Sequence, residues 1–125
     1  MTQKWRAFQK KATRIMSKEF DTRLSERQCK IHPKKFDMVS DDAQIVGDAK
    51  YLSLVRRKAY PPAKIMEIAG HVWLLERIKA HKKFLIFGNQ KQVPQLWLQK
   101  YGHFNKKVDF YFLDSKSKLK LLTDL

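Results

Sequence analysis

Apolar positions in the first twenty residues recur with the period of a helix. Trp5, Phe8, Ala12, Ile15 and Met16 gather on one face and Lys10, Lys11, Arg14 and Lys18 on the other, which predicts an amphipathic helix over 5–20. The polar stretch 21–27 is expected to continue or close it, ahead of a short strand near 28–32 that Pro33 interrupts. The pattern then changes to runs of β-formers, KFDMVS (35–40) and AQIVGDAKYL (43–52), parted by Asp41-Asp42. Aspartates at turns bond neighbouring backbone, so these runs predict a tight β-hairpin with the two aspartates as its loop. A basic loop over 55–60 leads into Pro61-Pro62, which suit the entry to a helix over 63–80. That helix is apolar around most of its circumference, as if held between a sheet and another layer. KFLIF (83–87) is a short unbroken apolar run, the mark of a central strand covered on both faces. A helix over 93–101 is expected to close at Gly102, VDFYFL (108–113) reads as a last strand, and a basic tail with some helical character follows from Ser115.

The order is helix, three strands, helix, strand, helix, strand. An antiparallel hairpin followed by βαβ units predicts an α/β fold, a single-domain α/β/α sandwich with a mixed central sheet. The chain has 125 residues, no internal repeat and no Gly/Ser linker, so one unit over 1–125 is expected, with a core over 5–113 and the tail over 115–125.

Charge narrows the partner. Lys and Arg number 27 against 12 acids, a formal charge of +15. Cations that neutralise phosphates release condensed counterions, so a nucleic acid is the expected partner; a basic surface kept for solubility, or matched to an acidic protein or membrane, is the alternative. The single cysteine, Cys29, has no partner for an internal disulfide or a Cys-x-x-Cys site and is expected to be an ordinary core or strand residue. A reducing setting follows: cytosolic, nucleoid-associated, or nuclear in a eukaryote. The N-terminus lacks an apolar signal core, and the most hydrophobic run, 68–75, is short and contains His71, so no membrane span is expected.

The hairpin carries the candidate chemistry. With Asp41-Asp42 as the loop, Met38 faces Ile45 and Asp37 faces Val46, and residues opposed across a pair or two apart along a strand share a face. Asp37, Asp48 and Lys50 then lie on one face, the two acids as diagonal neighbours roughly 7–8 Å apart. Converging carboxylates resist ionising together, and a divalent cation removes that penalty. Such hard oxygen ligands suit Mg²⁺, and a lysine on the same face can hold and polarise a water. Glu19 falls on the apolar arc of the first helix, where an ionised carboxylate needs a partner or a metal. Simpler readings stand beside these. Asp48 and Lys50 would make an ordinary ion pair, Asp37 would face water at a sheet edge, and Glu19 would pair with Arg23.

Asp37 followed eleven residues later by Asp48-Ala49-Lys50 resembles the PD-(D/E)xK signature of restriction-endonuclease-like nucleases, with Phe36 where the signature has Pro. The element order over 5–113 resembles that family's core, and a helical Glu, here Glu19, is a further member of its constellation. The resemblance implies a restriction-endonuclease-like fold and metal-dependent phosphodiester hydrolysis, as a Mg²⁺-dependent DNA endonuclease with Mn²⁺ as a substitute. It implies that Asp37, Asp48 and the carbonyl of Ala49 hold the metal, that Lys50 positions the attacking water, and that Glu19 serves a second metal or a water of the first ion's shell. Arg56, Arg57 and Lys58 directly follow the Lys50 strand and are candidate phosphate contacts, with Tyr60 able to stack. Lys64, Glu67 and His71 form one stripe on the next helix. Of these Lys64 is the candidate to reach the site, while His71 is expected in the core or at the surface. A homodimer or larger complex would engage two strands. The competing functions are a catalytically inactive nuclease-fold module that binds DNA or RNA, and a small basic RNA- or ribosome-associated protein.

Overall fold

A computed structural model describes residues 2–28, 35–53 and 62–123. Its elements are α1 (Thr2–Glu19), β1 (Leu24–Gln28), β2 (Lys35–Ser40), β3 (Ile45–Leu52), α2 (Pro62–Arg77), β4 (Lys82–Asn89), α3 (Gln92–Tyr101), β5 (Asp109–Leu113) and β6 (Leu119–Leu121), with a 3₁₀ turn at Gly102–Phe104. All six strands form one sheet in the order β1-β2-β3-β4-β5-β6. The first three run antiparallel, β3, β4 and β5 run parallel, and β6 returns antiparallel to β5.

The sheet separates two apolar clusters. Two successive crossovers that step the same way and share one hand put α2 and α3 on the same face. Their residues Ile68, Val72, Leu75, Val93 and Trp97 pack there with Phe36, Leu85, Phe87 and Phe110. On the opposite face α1 buries Phe8, Ala12 and Met16 against Met38, Ala49, Phe84 and Ile86. The result is the expected α/β sandwich around a mixed sheet. Strand β4, the KFLIF run, is buried on both sides from Lys83 to Gly88.

Two glycines allow this packing. A methyl group on Gly47 would come within 2.4–2.6 Å of three atoms of the Phe84 ring, and one on Gly88 would meet Phe8 at 2.3 Å. Phe84 in turn touches Phe20 and Tyr111, so it has little freedom to move aside. Overpacking of this kind costs about 1–3 kcal/mol. Gly47→Ala should therefore lower the unfolding free energy measured in urea by that amount, and an unchanged value would show that the ring yields freely.

Several elements differ from the sequence expectation. The second element is a strand from Leu24, not a prolongation of the helix, because Leu24 is buried and its N–H is taken by Ser17 Oγ at 3.2 Å. The stretch expected as a strand near 28–32 lies, apart from Gln28, outside the described residues, as do Cys29 and Pro33. Gly102 does not close α3 in a left-handed conformation. Its φ is −59°, and the chain runs straight on into the 3₁₀ turn. The tail is no helix but the edge strand β6, set by a turn in which Asp114 accepts the N–H groups of Lys116 and Lys118. The outer side of α2 exposes Met66 and Trp73, where a covering layer was expected; Arg77 lies over the Trp73 ring at 4.1 Å. No helix among the described residues is long and apolar enough to cross a membrane.

Candidate active site at the break between β2 and β3

The hairpin loop is longer than two residues. Ala43 adopts φ 59° and its N–H bonds the Ser40 carbonyl, while Asp42 accepts from the Ser40 hydroxyl and the Gln44 N–H. Val39 therefore pairs with Val46 and Met38 with Gly47, two positions from the register of a two-residue loop. An even shift keeps the faces of the residues still in the ladder. Asp37, at the bulge, is met by Gln9 of α1 while Asp48 and Lys50 contact α2, so the single face expected for the three is not kept. Counting on from Met38 and Gly47 brings Asp37 directly beside Asp48, where a diagonal relation was expected.

At that point the ladder breaks. Between Ser25–Val39 and Arg27–Phe36, β1 advances two residues and β2 three, so β2 carries one extra residue beside Asp37. A bulge of this kind bends a strand, interrupts pairing and re-aims side chains. Here side chains replace the lost ladder bonds. Asp48 Oδ1 accepts the Asp37 N–H at 2.8 Å, and Asp37 Oδ2 accepts the Ala49 N–H at 2.9 Å. Each aspartate thus satisfies a backbone donor on the strand opposite, which holds both carboxylates in the gap. The N–H and C=O of one strand residue point to the same side, so the Ala49 carbonyl also faces this gap.

On the α2 side, Asp48 and Lys50 are flanked along β3 by Val46 and Leu52, which pack into the α2–α3 cluster. Only 3% of the Asp48 side chain and 10% of the Lys50 side chain are exposed. Buried charges require partners, and α2 supplies them. Lys50 Nζ donates to Glu67 Oε2 at 3.2 Å and lies 3.3 Å from His71 Nε2, which is 3.5 Å from Asp48 Oδ2. His71 Nδ1 is 3.0 Å from the Glu67 carbonyl. A carbonyl only accepts, so Nδ1 carries the hydrogen, and Nε2 either accepts from Lys50 or, when protonated, pairs with Asp48. Burial acts to raise the Glu67 carboxyl, but the Lys50 ammonium, by charge and hydrogen bond, and then Lys64 and His71 outweigh it, leaving the group below the usual carboxylate value.

The structure brings together Asp37, Asp48, Ala49 and Lys50 of the sequence-derived set. It does not bring in Glu19. That residue is exposed at the last position of α1, and its charge acts on Tyr111 of β5. The apolar slot the helical wheel assigned to it is filled by Phe20, which packs on Phe84. Gln9, ten residues and on the order of 15 Å earlier along the helix axis, is the α1 residue at the site: its amide donates to Asp37 Oδ1 at 3.1 Å. Lys64 is half-buried and reaches Glu67 at 3.9 Å, so it borders the site through that acid. Arg56, Arg57, Lys58 and Tyr60 lie outside the described residues. Sequence reasoning missed Gln9 and placed His71 in the core or at the surface. For His71 a signal existed, since Glu67 and His71 stand four apart on an otherwise apolar helix.

The donor set fits a hard divalent cation. Two carboxylates and a carbonyl meet at one gap, and Mg²⁺ is ordinarily held by one or two carboxylates with waters completing its shell. Among the described residues no group of three or more His, Cys, Asp or Glu side chains is arranged to hold a metal, which leaves no closed site of the zinc type there.

No family model matches the chain, and no curated protein matches its sequence. Among solved structures, SfsA from Pyrococcus furiosus in complex with Ca²⁺ is similar, with a TM-score of 0.46 and 15% sequence identity. The alignment covers 95% of this chain and 63% of that one, so this chain spans less than two thirds of its length. At that level of similarity neither a shared activity nor a shared ligand follows.

Proposed function

We propose that this chain is a Mg²⁺-dependent nuclease acting on DNA, with Asp37, Asp48, the Ala49 carbonyl and Lys50 as its working groups. One observation carries the reading: the bulge in β2 breaks the ladder where two aspartates meet, with a buried lysine two residues beyond the second. A carboxylate pair in a ladder gap is costly to keep for stability alone, because an intact ladder would satisfy the same backbone donors. A bound Mg²⁺ would supply Lewis acidity and lower the pKa of a water. The chain's residues do the rest. Asp37 and Asp48 fix the position of the charge, and the backbone bonds they accept keep them from swinging away. Lys50 presents an ammonium on the same strand to orient a water and to stabilise charge developing on a phosphate. Glu67 and His71 hold that ammonium in place. The amide of Gln9 steadies Asp37 where the family resemblance implies a carboxylate, so a second metal has no α1 acid to rest on.

A second reading, a binding module with the same fold and no activity, draws on that neutral glutamine and on the engagement of Lys50 by Glu67. One assay separates the two. The protein is incubated with supercoiled, linear and branched DNA in Mg²⁺, Mn²⁺ or EDTA. The nuclease reading expects cleavage in Mg²⁺ and Mn²⁺ and none in EDTA. Cutting that persists in EDTA would refute the metal mechanism, and binding without cutting in either metal would favour the inactive module.

A further inference from the structure

A groove of about 620 Å³ runs between α1 and the edge strand β1 and reaches Asp37. Helix α1 lines one side with Trp5, Arg6, Gln9 and Lys10, and the other side carries Glu26 and Asp37. We propose that this groove holds one nucleotide of a single-stranded polynucleotide, its base stacked on Trp5 and its flanking phosphates on Arg6 and Lys10, so that the strand is led to Asp37. The end point of that path rests on the nuclease reading; the binding step does not.

Five features argue for this occupant. Trp5 is 39% exposed and, among the described residues, belongs to neither apolar cluster. An indole at a groove mouth is a stacking platform for any base, since every base has a π-face. Arg6 and Lys10 stand four residues apart on the same helix, both exposed, and follow the groove as a backbone-tracking pair would. The acids line the opposite side, so phosphates are repelled from Glu26 and drawn toward α1. The volume suits a small unit. Finally, Gln9 both lines the groove and donates to Asp37, which makes the groove and the candidate site continuous.

The test measures binding without turnover. A labelled strand of about 12 nucleotides, within the span that small single-strand-binding folds cover, is titrated with the full chain in EDTA, alone and annealed to its complement. The variants are Trp5→Ala, Trp5→Phe and Arg6→Ala/Lys10→Ala. Trp5→Ala should weaken single-strand binding roughly tenfold, Trp5→Phe should restore most of it, and duplex binding should stay within about twofold. The double variant should also flatten the salt dependence for the single strand by about two phosphate contacts. Equal loss for both substrates, or none for either, would overturn the groove assignment, as would failure of Trp5→Phe to rescue. A parallel Mg²⁺ cleavage assay keeps the readings apart. Selective binding without cleavage would sink the nuclease and leave the groove; cleavage with binding indifferent to Trp5 would do the reverse.

Discussion

Asp48→Asn protein should bind DNA in EDTA as wild type does and fail to cut it in Mg²⁺, its rate falling by about 10³-fold or more. Asparagine is the informative replacement because Asp48 has two duties. Its Oδ1 accepts the Asp37 N–H at 2.8 Å, bridging the gap in the ladder. An amide oxygen does the same, so the gap stays closed and Asp37 keeps its position. What is lost is charge, and with it half of the hard-oxygen pair that would attract a divalent ion. Asp48→Ala differs. It leaves the Asp37 N–H without its acceptor, at about 1–3 kcal/mol, and removes the anion beside His71 and Lys50. Denaturation in urea should therefore separate the two variants while cleavage does not. Wild-type cutting by Asp48→Asn would remove Asp48 from the chemistry. Parallel loss of binding and cutting would mark it as structural.

Much of the frame was legible because periodicity reports which face a residue occupies. The switch from a 3.6-residue period in α1 to β-runs at Lys35, and the unbroken KFLIF run, were enough to give the mixed sheet and its parallel half. They also placed Asp37, Asp48 and Lys50 near one another. The register was not legible, because it depends on the left-handed conformation of Ala43, an unusual residue for that role. The slip left the faces of the paired residues intact because it was an even number of residues, but the bulge turned Asp37 toward Gln9 of α1. The bulge at Asp37 was not legible either, since it arises from a mismatch of β2 against β1, two strands whose pairing no local pattern specifies.

The helical wheel failed at Glu19 for a different reason. At the last residue of a helix the next residue can take over the apolar slot, and Phe20 does so. Gln9 carries no charge to draw notice, and its role exists only because α1 crosses the sheet where β2 breaks. The polar stripe of Glu67 and His71 was visible, but its target was not, since which strand α2 faces is a tertiary fact. The same holds for β6, whose three residues pair only once the turn at Asp114 has formed.

Lys50→Met should leave stability within about 1 kcal/mol of wild type while lowering Mg²⁺-dependent cleavage by about 10²–10³-fold. Lys50 is nearly buried, and methionine of similar length can fill its channel between β3 and α2 without an ammonium to desolvate. Of its described partners, Glu67 loses a 3.2 Å contact and His71 one of 3.3 Å. Glu67 is 37% exposed and has Lys64 at 3.9 Å, so water and that lysine can take over its compensation. Little folding energy is therefore at stake. The chemistry has no such substitute, because on β3 only Lys50 follows the candidate metal ligand on the α2-facing side and ends in a cation. Lys50→Arg tests the shape of that requirement. It keeps the charge, but a planar fork replaces a point charge that lies 3.2 Å from Glu67 and 3.3 Å from His71. It is expected to recover binding strength near the site and not the rate. Cleavage by Lys50→Met within a few-fold of wild type would take Lys50 out of the mechanism, and a drop of several kcal/mol in stability with a matching loss of cleavage would make it a core residue.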